Sequence, residues 1–119
     1  KKTLNGAKVL CLGAAYKKDI DDMRESPSLR VISLLKEKGA EVSYHDPYVP
    51  KLEKGHGFHY EMTSVPLSPE MLGEYDAVVI LTDHSSIDYA TVVQKSQCVI
   101  DTRNATKLVG PGREKVTKA

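Results

Sequence analysis

Between Gly13 and Ser26 the chain sets Tyr16, Lys17, Lys18, Asp19, Asp21, Asp22, Arg24 and Glu25 in close succession. Two of these suit phosphate oxygens. The Lys17 ammonium is a compact point charge, and the planar Arg24 guanidinium can grip an oxyanion with two parallel N–H donors. An apolar run, Val9-Leu10-Cys11-Leu12, precedes the stretch, and Ser26-Pro27, a helix start signal, follows it. Free amides at such a helix start carry partial positive charge and add to an anion site. The same charges also permit a plain solvated loop, in which Lys17, Lys18 and Arg24 neutralise Asp19, Asp21, Asp22 and Glu25. Spacing alone leaves both readings open.

Other chemistries fit less well. A dinucleotide-binding turn needs three glycines where a strand meets a helix, but Gly13 stands alone in GAAYKK and the helix begins too far on. No phosphate-binding P-loop is present. A phosphorylated receiver domain needs a carboxylate pair directly after its first strand to hold magnesium, whereas Asp21 and Asp22 follow Leu12 by nine and ten residues. His56 and His59 sit among glycines without further ligands, so no metal site is expected. His84 belongs to a loop bordering the expected site; a hydrogen bond to a ligand is one reading and a structural role the other. Cys11 and Cys98 both fall inside apolar runs, which reads as buried thiols in a reducing compartment and not as nucleophiles. No catalytic residue is assigned. The residues describe a binding surface without a catalytic centre.

The elements that must carry this surface follow from periodicity and caps. A buried strand is expected over 8–12 and a helix over 27–38, with Leu29, Ile32 and Leu35 at helical spacing and Val31 and Leu34 beside them. Gly39 suits a left-handed helix end. A second strand over 41–45 closes at Asp46-Pro47. The alternating patch 58–62 reads as a short edge strand. Ser68-Pro69 opens a short helix over 69–74, and 77–81 is the most apolar strand of the chain. A helix over 89–95 and a last strand over 98–100 complete the order, and the tail from Gly110 is expected to fray. Strands alternating with helices predict a three-layer α/β/α, Rossmann-like domain with a mostly parallel sheet of about five strands. Three loops then gather at one sheet edge: the one after the first strand, Thr82-Asp83-His84-Ser85, and Asp101-Thr102-Arg103-Asn104. That edge is where open α/β sheets bind ligands.

Composition sets outer limits. A length of 119 residues suits a single domain, and 28% charged with 40% hydrophobic residues is ordinary for a soluble one. A net charge of +1 gives no overall attraction to nucleic acid or anionic membrane. No apolar run approaches the roughly 20 residues that span a bilayer, and no secretory leader is visible. A chain opening on Lys1 rather than Met is expected to be part of a longer one.

Four segments in this order, GAAYKKDIDDMRESPS, AEVSYHDPYVP, VVILTDHSSIDY and VIDTRNAT, closely resemble the C-terminal domain of the UDP-glucose/GDP-mannose dehydrogenase family. The likeness covers about residues 8–106 and is nearest to the bacterial branch acting on UDP-N-acetylglucosamine or UDP-N-acetylmannosamine. It implies that the chain is a UDP-sugar-binding domain of an NAD-dependent, cytoplasmic 6-dehydrogenase used in polysaccharide biosynthesis. Such enzymes oxidise the sugar C6 alcohol to a carboxylate in two hydride transfers. NAD would be bound mainly by an N-terminal domain absent from this chain. The catalytic cysteine would lie in an absent central domain, which forms a homodimer or higher assembly; the isolated domain is expected to be inactive and monomeric. By motif, Tyr16, Lys17 and Arg103 would contact the substrate and Arg24 would reach NAD. Ala14 departs from the pattern, since relatives often carry a larger aliphatic residue there. The rival reading is a free-standing nucleotide-binding or regulatory α/β module.

Overall fold

The computed structural model describes residues 5–14, 27–53, 60–82, 84, 86–103, 105–106 and 115–118. Five strands, β1 (Lys8–Leu12), β2 (Glu41–His45), β5 (Ala77–Ile80), β6 (Val99–Asp101) and β7 (Val116–Lys118), form one parallel sheet in the order β2-β1-β5-β6-β7. Two shorter strands, β3 (Lys51–Leu52) and β4 (Met62–Thr63), pair antiparallel beside it. The helices are α1 (Pro27–Glu37), α2 (Pro69–Leu72) and α3 (Tyr89–Lys95).

Alternation along β1 and β5 divides the core into two layers. Val9, Cys11, Val79 and Leu81 pack with Ile32 of α1, whereas Leu10, Leu12, Val78 and Ile80 pack with Leu72 of α2 and with Val92 and Val93 of α3. Leu10, Leu12, Ile32 and Ile80 have no exposed surface. Burying each such side chain stabilises by roughly 1.5–3 kcal/mol. β1 pairs with β2 on one side and β5 on the other, which is why its residues read as a continuous apolar run.

The helix ends follow their residues. Gly39 has φ +93°, and the Gly39 and Ala40 amides donate back to Lys36 and Leu35, a left-handed closure of α1. Leu34, expected on the apolar stripe, is 49% exposed. α2 stops at Leu72, short of the expected 74, because Glu74 and Tyr75 donate to Met71 and Leu72 in tighter turns. Asp88 caps α3, accepting the Thr91 amide at 3.3 Å and the Thr91 hydroxyl at 2.9 Å.

Two expectations need correction. The tail does not simply fray: Val116, Thr117 and Lys118 add β7 to the sheet, and Val116 packs against the α2–α3 core. Cys98 lies just outside β6 and is only partly buried, whereas Cys11 is fully buried. The edge strand expected over 58–62 is realised as Met62–Thr63, while residues 58–59 lie outside the described residues. Among the described residues, no helix is long and apolar enough to cross a membrane.

Candidate functional site

Because the sheet is parallel, β1, β2, β5 and β6 all end at one edge. From β1 the chain goes to β2 on one side, then returns to β5 on the other and runs outward through β6 and β7. The β1–β5 boundary is therefore the point where strand order reverses, the usual ligand crevice of such sheets.

Gly13 opens that crevice. It has φ +95°, and a Cβ placed there would lie 2.5 Å from the Thr82 Cβ and 2.7 Å from the Thr82 amide. Only glycine allows the two strand ends to approach so closely. The Gly13 amide donates to the His45 carbonyl, and the Leu81 and Thr82 amides share the Leu12 carbonyl. The chain thus leaves β1 in a direction set by both neighbouring strands.

Asp46, the residue after β2, fixes the next step. It is 2% exposed, and its Oδ2 accepts the Ala14 amide at 2.7 Å while its Oδ1 accepts the Tyr48 amide at 2.8 Å. The same Oδ2 lies 2.9 Å from His84 Nε2. Since a carboxylate holding two amides acts as acceptor, the imidazole donates from Nε2. His84 is completely buried, its ring centre 5.2 Å from that of Tyr48, and its amide donates to the Tyr89 hydroxyl, which donates in turn to the Thr82 carbonyl. The sequence left the role of His84 open, a ligand hydrogen bond among the readings; the structure sets its ring, fully buried, against Asp46.

Asp101, at the end of β6, organises the third loop. Buried to 1% exposure, it accepts the Arg103 and Ala105 amides on Oδ1, and the Thr106 amide and hydroxyl on Oδ2. Burial pushes its pKa up, but the hydrogen bonds from Thr106, Ala105 and Arg103 outweigh this and leave the carboxyl below its ordinary value. Thr102 ties the loop to β5 through its hydroxyl, 2.6 Å from the Ile80 carbonyl. Arg103 itself is exposed at this edge, its backbone held and its side chain on the surface.

Of the residues singled out by chemistry, Arg103 falls at the carboxyl edge as expected. Tyr16, Lys17 and Arg24 lie outside the described residues, in the segment that begins directly after Ala14. Asp46, Tyr89 and Asp101 escaped the sequence reading as site-shaping groups. The available signal was position alone, since both aspartates stand at the carboxyl ends of strands. Burial raises the Cys11 thiol pKa to about 12, and burial together with the Asp46 charge raises Tyr44 to about 12, so neither is an activated group at neutral pH. Among the described residues, no group of three or more His, Cys, Asp or Glu could hold a metal ion.

A cavity of about 390 Å³ opens between the end of β2 and the starts of α2 and α3, lined by His45, Pro47, Leu72, Ile87 and Thr91 among others. Its size falls within the range of small-molecule sites.

Residues 10–108 match the model of the UDP-glucose/GDP-mannose dehydrogenase family, UDP binding domain. A UDP-N-acetyl-D-mannosamine dehydrogenase from Methanococcus vannielii is 36% identical over 105 residues, covering 82% of this chain and 22% of the relative. The UDP-N-acetyl-mannosamine dehydrogenase of S. aureus superposes with a TM-score of 0.69 at 27% identity, over 95% of this chain and 26% of that one. An NDP-N-acetyl-D-galactosaminuronic acid dehydrogenase from Methanosarcina mazei gives a TM-score of 0.69 at 28% identity, over 99% and 25% of the two chains. The chain therefore spans about a quarter or less of the length of these relatives. With its parallel sheet, the ends of β1, β5 and β6 at one edge and a match across most of its length, the chain belongs to the UDP-glucose/GDP-mannose dehydrogenase family as its UDP binding domain.

Proposed function

We propose that residues 1–119 form the UDP-sugar-binding C-terminal domain of an NAD-dependent UDP-sugar 6-dehydrogenase, whose NAD-binding and catalytic domains lie elsewhere on a longer polypeptide. The observation that carries this reading is the family match over 10–108, which takes in all three loops at the carboxyl edge. Lys17 and Arg103 supply positive charge to the diphosphate, and Tyr16 contacts the nucleotide sugar. Arg24 reaches NAD, as the family's motif implies. The cofactor is held chiefly outside this chain in this reading, since the glycine-rich turn that binds a dinucleotide is missing from the sequence. Cys11 has no part in the chemistry, because a thiol with no exposed surface and a pKa near 12 cannot meet a sugar carbon.

The sugar is UDP-N-acetylmannosamine in this reading, ahead of UDP-N-acetylglucosamine, since several relatives more than 30% identical carry the former name. The full-length enzyme works in the cytoplasm as a homodimer or larger assembly. The test is NAD reduction by the full-length protein with UDP-N-acetylmannosamine, UDP-N-acetylglucosamine and UDP-glucose in parallel. Formation of two NADH per sugar, fastest with the first substrate, is the expected result. UDP binding without any NAD reduction would favour a free-standing nucleotide-binding module.

A further inference from the structure

Asp46 and His84 are buried, paired and unused by the binding roles assigned above. They stand 38 residues apart in sequence and meet where three strands end. The Asp46 carboxylate holds the Ala14 amide, the last described backbone donor before the segment carrying Tyr16 and Lys17. His84 is held in turn by Tyr89, which also grips the Thr82 carbonyl beside Gly13. One hydrogen-bonded chain therefore runs from α3 through the β5 loop and the β2 end to the exit of β1. A carboxylate buried this deeply keeps its place only with its donors present. Loss of the imidazole would free Oδ2 to reorient and with it the Ala14 amide.

We propose that Asp46 and His84 are positioning residues for the UDP-sugar site, with the His84 imidazole locking the carboxylate that holds the Ala14 amide where the chain leaves β1. The inference rests on the UDP-sugar-binding reading. It separates affinity from stability: a shift of about 1 Å in a binding loop costs far more in recognition than in fold energy.

The test is calorimetric titration of UDP into the full-length protein, alongside its thermal melt. His84→Ala is expected to weaken UDP about tenfold or more, and His84→Gln, whose amide can still donate to Asp46, to recover most of that loss. Val78→Ala is the control: it opens the core on the α2–α3 side, away from the cavity and the chain of hydrogen bonds, so it should lower the melting temperature and leave UDP affinity unchanged. Should His84→Ala fail to fold, Tyr89→Phe, which removes one hydroxyl at constant shape, carries the test with an expected weakening of roughly threefold. Wild-type affinity in His84→Ala, or in Tyr89→Phe where the former is unfolded, would overturn the positioning role while leaving the site reading intact. Absence of UDP binding by the wild-type protein would overturn the site reading and this role together.

Discussion

Asp101 holds Thr106 twice, through the amide at 2.9 Å and through the hydroxyl at 2.7 Å, both on the same carboxylate oxygen. With the Arg103 and Ala105 amides on the other oxygen, one buried carboxylate shapes the loop that presents Arg103. Its pKa is raised by burial but lowered further by these donors, so it lies below the ordinary carboxylate value when folded. Such a group binds fewer protons in the folded state, and stability rises with pH across the interval between the two pKa values. The contribution is complete above the unfolded value of about 3.9 and is lost as pH falls through the folded pKa. Asp101→Asn should cost about 2 kcal/mol at neutral pH, with wild type and variant converging as the medium becomes strongly acidic. Urea melts at neutral and acidic pH would check this, and an equal difference at both would contradict it.

Gly13 lies close against Thr82, so a Cβ added there would fall 2.5 Å from the Thr82 Cβ and 2.7 Å from its amide nitrogen. Gly13→Ala combines a left-handed backbone, unfavourable by about 1–2 kcal/mol, with steric overlap of about 1–3 kcal/mol. A total loss of roughly 2–5 kcal/mol is expected in a chemical melt. A loss below about 1 kcal/mol would mean that the β1 and β5 ends can separate freely.

Much of this architecture was legible in the residues. The bounds of β1, β2 and α3 coincide with the expected ones, since each is a local pattern of apolar spacing closed by a local signal such as Asp46-Pro47 or the Asp88 cap. What failed to show was whatever depends on distant partners. β3 and β7 are two and three residues long and become strands only through pairing with Met62–Thr63 and with β6. Asp46 reads in sequence as a stop signal, and nothing local says that its carboxylate meets an imidazole 38 residues later. Cys98 looked buried inside an apolar run because β6 was expected one residue early.

The two cysteines should therefore differ in reactivity. Cys11 has no exposed surface and a pKa raised to about 12 by burial, whereas Cys98 is partly exposed. A thiol reagent at mildly alkaline pH should modify Cys98 readily in the folded 119-residue chain. Cys11 should react only at the rate of unfolding, which for stable domains is slower by orders of magnitude. Peptide mapping after timed labelling distinguishes the sites, and rapid labelling of Cys11 would show that the α1 side of the core opens.

Arg103 offers the sharpest separation of binding from folding. Its side chain is exposed, and only its amide takes part in the Asp101 network. Arg103→Ala keeps that amide, so the melting temperature should move little. A charge-assisted hydrogen bond to a diphosphate contributes about 1.5–3 kcal/mol, which converts to a loss of UDP affinity of roughly 10- to 150-fold. Arg103→Lys should recover only part of it, because an ammonium keeps the charge and loses the two-pronged geometry. Titration with UDP and with uridine makes the assignment specific: the variant should lose its discrimination in favour of UDP while binding uridine as wild type does. Equal losses for both ligands would place Arg103 against the base or ribose instead of the phosphates.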